Sequence, residues 1–286
     1  MPETHPYTDI TVEQRGRVAI VRLNRPDTLN AFGGTMVTEL SDYVRSLNQG
    51  AYDTRAVVIT GEGRAFSAGG NVLSFPAART EVPGSNGSRN GTQPNAAAEA
   101  RATAPWHPPH ARQSVIQTMR DCDVPLVAAI NGYAVGAGWS LALGCDVRIA
   151  AEDALFQVAQ TKRGIVADVG LAYLLPRAVG TQRALELMFT GRRVTAQEAL
   201  ELGVVLETVP PDHLLDRACE VAEAIADGPP LSHAAHKRLV YGIESDDLAR
   251  VEELTPMYVG KLFVTEDGRE GVRSFLDRRE PEFTGR

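Results

Sequence analysis

Basic residues are in the minority. Against 36 Asp and Glu the chain sets 29 Lys and Arg in 286 residues, for a formal net charge of −7. A nucleic-acid backbone is met by surplus positive charge, and there is none to offer. Cysteine is scarce as well. Cys122, Cys145 and Cys219 are odd in number and widely spaced. They make neither a disulfide framework nor a zinc spacing, which points to a reducing compartment. Long apolar runs are missing. The most apolar stretch, from about Gly132 to Cys145, is broken by glycine and bounded by Asn131 and Asp146. It falls short of the roughly 20 residues of a membrane helix. Met1-Pro2-Glu3-Thr4-His5-Pro6 carries no basic n-region and no apolar h-region. A soluble cytoplasmic protein without membrane or nucleic-acid partners is expected. What is present is globular composition, 43% hydrophobic and 23% charged, in a chain long enough to bury a full core.

Along the chain, strands and helices alternate. Val18 to Leu23 reads as a strand that Asn24-Arg25-Pro26-Asp27 stops. Ala31 to Leu47 has apolar residues at helical spacing: Met36, Val37, Leu40, Tyr43, Val44 and Leu47. Ala56 to Thr60 is a short strand of the buried kind. The sequence then repeats this logic: strand Leu126–Ile130, a glycine-rich turn, helix Gly138–Leu143 and strand Val147–Ala150. The class is α/β, built of repeated β-β-α units. Pro76 to Pro109 is rich in Pro, Gly, Asn, Ser and Ala, and reads as a mobile insertion or lid. After about Pro210 the pattern is helical only: His213–Ala226, Leu231–Gly242, Asp246–Phe263 and Glu266–Arg278. The expected division is a core over 1–210, with the insertion at 76–110, and a helical region over 211–286 that packs on the core or on another subunit.

Two glycine-rich turns stand where chemistry belongs. Phe66-Ser67-Ala68-Gly69-Gly70-Asn71 follows a strand, and Asn131-Gly132-Tyr133-Ala134-Val135-Gly136-Ala137-Gly138 joins a strand to a helix. Glycine lets backbone approach a ligand closely. A helix start offers free N–H groups and the positive end of its dipole, which suit a phosphate or an oxyanion. No Gly-Lys-Ser/Thr follows either turn, and neither has dinucleotide-binding spacing. Tight packing of an α/β core is the other reading of the same glycines.

Taken together, Leu23-Asn24-Arg25-Pro26, Leu29-Asn30-Ala31, both glycine turns, Leu141-Ala142-Leu143, Cys145-Asp146, Leu175-Pro176-Arg177, Phe189-Thr190-Gly191, Gly203-Val204-Val205 and Glu270-Gly271 resemble the crotonase, or enoyl-CoA hydratase/isomerase, superfamily. The resemblance implies a crotonase-like spiral of β-β-α units with a C-terminal helical region. It also implies an acyl-CoA thioester as substrate, coenzyme A entering only as part of it, and no metal or other cofactor. Homotrimers or homohexamers, with the C-terminal helices in the contacts, are the implied assembly. By position, the backbone N–H groups of Gly70 and Ala137 would hold the thioester carbonyl. Enolisation builds negative charge on that oxygen, and losing one preset donor costs roughly 3–4 kcal/mol in comparable sites. Arg25, Asp27, Leu29, Ala68, Asn71 and Val72 would line the CoA groove, with Arg25 a candidate for a phosphate.

One departure from the family pattern is informative. Hydratases of this family place two glutamates on a water; here those positions fall on Ser140 and Gln160, read as pocket-lining groups. Neither side chain serves as a general base near pH 7. Asp168, among apolar neighbours in Gly164-Ile165-Val166-Ala167-Asp168-Val169-Gly170-Leu171, remains. Desolvation there would raise its pKa and suit it to carry a proton. Phe156-Gln157-Val158 with Ala167-Asp168-Val169-Gly170 is similar to dienoyl-CoA isomerases, and the lone aspartate to ring-1,2-epoxyphenylacetyl-CoA isomerases. The resemblance therefore implies double-bond migration in an enoyl-CoA. A hydratase with another water site and an inactive acyl-CoA binder are the alternatives. Asp168 also reads as the N-cap of a helix Val169–Leu175, a role compatible with catalysis. His107 and His110 lack a third metal ligand, and Cys145 reads as a small core residue.

Overall fold

The computed structural model describes residues 7–49, 53–70, 114–242, 252, 253, 256, 259, 260, 262–279 and 281. Asn71, Val72, His107, His110 and the 76–109 stretch lie outside them. In chain order the elements are β1 (Ile10–Arg15), β2 (Val18–Leu23), a 3-10 turn (Pro26–Thr28), α1 (Met36–Leu47), β3 (Ala56–Gly61), β4 (Ala65–Ser67), α2 (Val115–Arg120), β5 (Leu126–Ile130), β6 (Tyr133–Val135) and α3 (Ala137–Gly144). There follow β7 (Val147–Ala151), β8 (Leu155–Gln157), a 3-10 turn (Thr161–Arg163), α4 (Leu171–Val179), α5 (Thr181–Thr190), β9 (Arg193–Thr195), α6 (Ala196–Glu201), β10 (Glu207–Val209), α7 (Leu214–Ala226), α8 (Pro230–Gly242) and α9 (Glu266–Asp277).

Six strands form one sheet, ordered β1-β2-β3-β5-β7-β10, and four form a second, ordered β4-β6-β8-β9. Successive strands are dealt to the two sheets in turn. β3, β5 and β7 go to the larger, and β4, β6 and β8 to the smaller. A helix follows each pair, so the β-β-α rhythm of the sequence is the repeating unit of the architecture. Pairing from β2 to β10 in the large sheet is parallel, with Val18 opposite Ala56 and Leu23 opposite Gly61.

Both faces of the large sheet are buried at β2, β3 and β5, which is why those strands read as near-continuous apolar runs. Alternation sends Ala19, Val21, Leu23, Val57 and Ile59 toward Met36, Leu40 and Val44 of α1. Val18, Ile20, Val58, Val127 and Ala129 face α7 on the other side. Helix α7 meets them with Leu214, Ala218, Ala222 and Ala226, one side chain per turn. This helix falls in the 211–286 region, yet it is the cover on the chain's own sheet. Among the described residues no helix is long and apolar enough to cross a membrane.

Helix α8 is fastened by a buried charge. Lys237 Nζ donates to Asp146 Oδ2 at 2.8 Å and to the Val124 carbonyl at 3.1 Å. Asp146 also accepts from the Leu126 N–H at 2.7 Å and from the Tyr241 hydroxyl at 2.8 Å. These bonds offset the desolvation of the pair. Burial pushes the neighbouring thiols up, Cys122 to about 11 and Cys145 to about 12, so both stay protonated packing groups. Lys237→Met leaves Asp146 buried without its cation and is expected to cost about 3 kcal/mol. Urea unfolding reads this directly; a midpoint equal to that of the parent would show that the pair does not hold α8.

Candidate active site

Strands β4, β6 and β8 run parallel as neighbours, so their C-terminal ends open at one edge. The carboxyl edge of parallel strands is where α/β proteins place ligands. Three segments leave that edge side by side: 68–70 from β4, Gly136 and α3 from β6, and 158–170 from β8.

The first two segments touch backbone to backbone. A Cβ built on Gly138 would lie 2.2 Å from the Ser67 carbonyl oxygen. One on Gly69 would lie 2.3 Å from the Val135 carbonyl oxygen and 3.0 Å from the Ala137 nitrogen. Only glycine fits either place. Phe32 bridges to Gly70 in a parallel sense, its N–H donating to the Gly69 carbonyl at 2.6 Å. In parallel pairing a residue bonds the flanks of its opposite number, so the N–H of Gly70 itself turns away from Phe32. Ala137 opens α3, whose first intrahelical bond runs from Ser140 N–H to the Gly136 carbonyl at 3.1 Å. Its own N–H is out of reach of any carbonyl of the helix. Gly70 and Ala137, paired from sequence, thus stand on adjoining turns.

The loop before α1 is stitched to the same edge by Asn30, which sequence reasoning did not assign. Its side chain accepts from the Arg25 N–H at 2.8 Å and donates to the Ala65 carbonyl at 2.7 Å and the Glu62 carbonyl at 2.9 Å. Its carbonyl accepts from Ser67 Oγ at 2.7 Å, which in turn receives the Gly69 N–H at 3.2 Å. Leu29 and Asn30 both adopt left-handed backbone, φ 54°, a conformation asparagine tolerates better than most residues. That asparagine, directly before Ala31, was the available signal. The Leu29 carbonyl accepts from Ala68 N–H at 2.8 Å, so these two groove candidates are in contact. Arg25 donates to the Ala31 carbonyl at 3.0 Å and lies 3.6 Å from Asp9. Asp27 is exposed on the 3-10 turn.

Asp168, Gln160 and Ser140 come together on the far side of α3. Gln160 Nε2 donates to Asp168 Oδ1 at 2.8 Å. Ser140 Oγ lies 3.4 Å from the carbonyl oxygens of Asp168 and Gly136. Burial pushes the Asp168 carboxyl above the ordinary aspartate value; the Gln160 amide and the residue's own backbone N–H offset only part of that. The N-cap reading is corrected. Helix α4 starts at Leu171 with Gly170 as its cap and no side-chain capping bond. Val169 and Gly170 are both left-handed, φ 50° and 76°, and this double turn directs the Asp168 side chain to Gln160 instead. A β-branched residue there costs on the order of 1–3 kcal/mol. Among the described residues no group of three or more His, Cys, Asp or Glu is placed to hold a metal ion.

A family model described as enoyl-CoA hydratase/isomerase matches residues 13–86 and 91–286. A probable enoyl-CoA hydratase of Rhodobacter capsulatus is 33% identical over 98% of this chain and 99% of its own. A 1,2-epoxyphenylacetyl-CoA isomerase of Escherichia coli is 31% identical over 94% of this chain and 95% of its own. The crystal structure of an enoyl-CoA hydratase/isomerase from Pseudoalteromonas atlantica superposes with a TM-score of 0.79 at 26% identity. That match covers 97% of this chain and all of the other.

The contact between the turns is open to test. Gly138→Ala forces a methyl against the Ser67 carbonyl and is expected to cost about 1–3 kcal/mol in urea unfolding, as overpacked sites do. Parent-like stability would mean that the turns are not in contact.

Proposed function

We propose, for a chain that belongs to the enoyl-CoA hydratase/isomerase family and carries its α/β crotonase fold, that it moves a double bond within an enoyl-CoA thioester. The observation that carries this reading is the half-buried carboxyl of Asp168, hydrogen-bonded to Gln160 and raised in pKa by desolvation. Two carboxylates on a water would favour hydration. Here Gln160 and Ser140 bring an amide and a hydroxyl, and neither is a base near neutral pH.

The thioester carbonyl accepts hydrogen bonds from the N–H groups of Gly70 and Ala137. Ionised Asp168 takes a proton from the carbon next to that carbonyl in a 3-enoyl-CoA. The C–H electron pair spreads over the dienolate, and charge collects on the thioester oxygen. The two N–H groups and the positive end of α3 stabilise it there. Asp168, now a carboxylic acid, returns the proton to the third carbon from the carbonyl and the 2-enoyl-CoA results. One carboxyl performs both transfers and ends as it began. A raised pKa helps, because a better-matched acid–base pair lowers both barriers. Arg25, Asp27, Leu29, Ala68, Asn71 and Val72 are the residues we assign to the CoA side. The Escherichia coli relative named as an isomerase supports this reading, while the Rhodobacter capsulatus relative is named as a hydratase.

Offering a 3-enoyl-CoA and a 2-enoyl-CoA separately distinguishes the two. Migration of the double bond without water addition is expected. Rapid hydration of the 2-enoyl ester would overturn the proposal, and binding without turnover of either would make the protein an acyl-CoA binder. Asp168→Asn is expected to lower kcat about a thousandfold with nearly unchanged ester affinity. Because the base must be ionised, activity should fall as pH drops, with its acid limb above that of an ordinary aspartate. A limb at the ordinary position would remove Asp168 from the role.

A further inference from the structure

We infer that Gln160 is a positioning residue that decides which oxygen of Asp168 carries the proton: its Nε2–H occupies Oδ1 and leaves Oδ2 as the transferring atom. The inference rests on the proposed role of Asp168 and deepens it. The first observation is the 2.8 Å bond from Nε2 to Oδ1. The second is what the amide forgoes. Gln160 is only 6% exposed, and its Oε1 is buried with no hydrogen-bond partner. Buried acceptors are nearly always satisfied. Turning the amide over would aim Oε1 at Oδ1, two acceptors with no proton between them. The ionised aspartate therefore fixes the amide, and the orphaned oxygen is the consequence. The third is the wall behind it. A Cβ on Gly136 would stand 3.2–3.3 Å from the nitrogen, carbon and oxygen of the amide. The group is thus seated directly on the turn that leads to Ala137, and the carboxyl and the backbone donor are set from one place.

No charged partner takes over this work among the described residues packed around Asp168. Helix α3 carries no titratable side chain. On the 161–163 turn Lys162 is exposed, while Arg163 donates to the Ala159 carbonyl and stacks 4.4 Å over Phe275. On α4, Arg177 stacks 3.4 Å over Tyr173. Among the described residues, the amide is the polar side chain that the carboxyl meets. A donor on Oδ1 lowers the basicity of that oxygen and restricts rotation of the carboxyl, so proton abstraction and return use the same atom. A hydrocarbon at 160 would leave both oxygens equivalent. A carboxylate there would share a proton with Asp168 and hold it on the wrong side.

Full-length Gln160→Met and Gln160→Glu test this, with isotope-edited infrared titration of the carboxyl band that Asp168→Asn deletes. In Gln160→Met the Asp168 midpoint should rise by about one pH unit. The acid limb of kcat should move with it, and plateau kcat should fall about tenfold with KM within about twofold. In Gln160→Glu, close in shape to the parent residue, the midpoint should rise further, because two carboxyls at hydrogen-bond distance cannot both ionise. A midpoint unchanged in both variants, or a loss confined to KM, overturns the inference. The infrared titration needs no turnover. If Asp168→Asn keeps its activity, the proposed function fails, and the midpoints alone still decide whether the amide governs Oδ1.

Discussion

The contact between the two glycine turns, Gly138 against the Ser67 carbonyl and Gly69 against the Val135 carbonyl, is the constraint on which the rest of the site depends. Parallel pairing of β4 and β6 brings their carboxyl ends together. Without side chains at Gly69 and Gly138 the turns close to backbone distance, and two peptide N–H groups from segments far apart in sequence become neighbours. Donors of this kind belong to the main chain. They come already oriented by the sheet and by α3, so the N–H of residue 137 is presented whatever its side chain.

Around that contact the chain spends stability locally. Val169 sits in left-handed backbone, Gln160 keeps an unpartnered oxygen, and Asp168 loses water without gaining a cation among the described residues. Each runs against folding, and all three lie in the short stretch after β8. They persist because the flanking elements over-determine the segment: β8 is paired on both edges, and α4 is buried through Leu171, Leu174 and Leu175. Strain gathered at one place and held by a rigid frame is the usual mark of a working site.

Much of the frame was legible in the sequence. Val18–Leu23 and Leu126–Ile130 are strands with the bounds their apolar runs suggested, since a strand buried on both faces needs an unbroken run. Helices α7 and α9 lie within a residue of their expected ends. The helix expected from Ala31 starts only at Met36, because Leu29 and Asn30 turn left-handed and Phe32 is drawn to Gly70. Strands β4, β6, β8 and β9 are three residues each, too short to show a period.

The sequence by itself determined the alternation of strands and helices, the glycines that two close approaches require, and a carboxyl placed among apolar neighbours. These are local matters of hydrophobic period and residue type. Only the tertiary structure decided that the Asp168 side chain turns to Gln160 and not to the start of α4, and that Arg25 lies beside Asp9. It also decided that α7 covers its own sheet and that Asn30 ties three segments together. Those outcomes depend on backbone dihedrals and on partners far off in the chain, and no run of neighbouring residues encodes the direction in which a side chain will point.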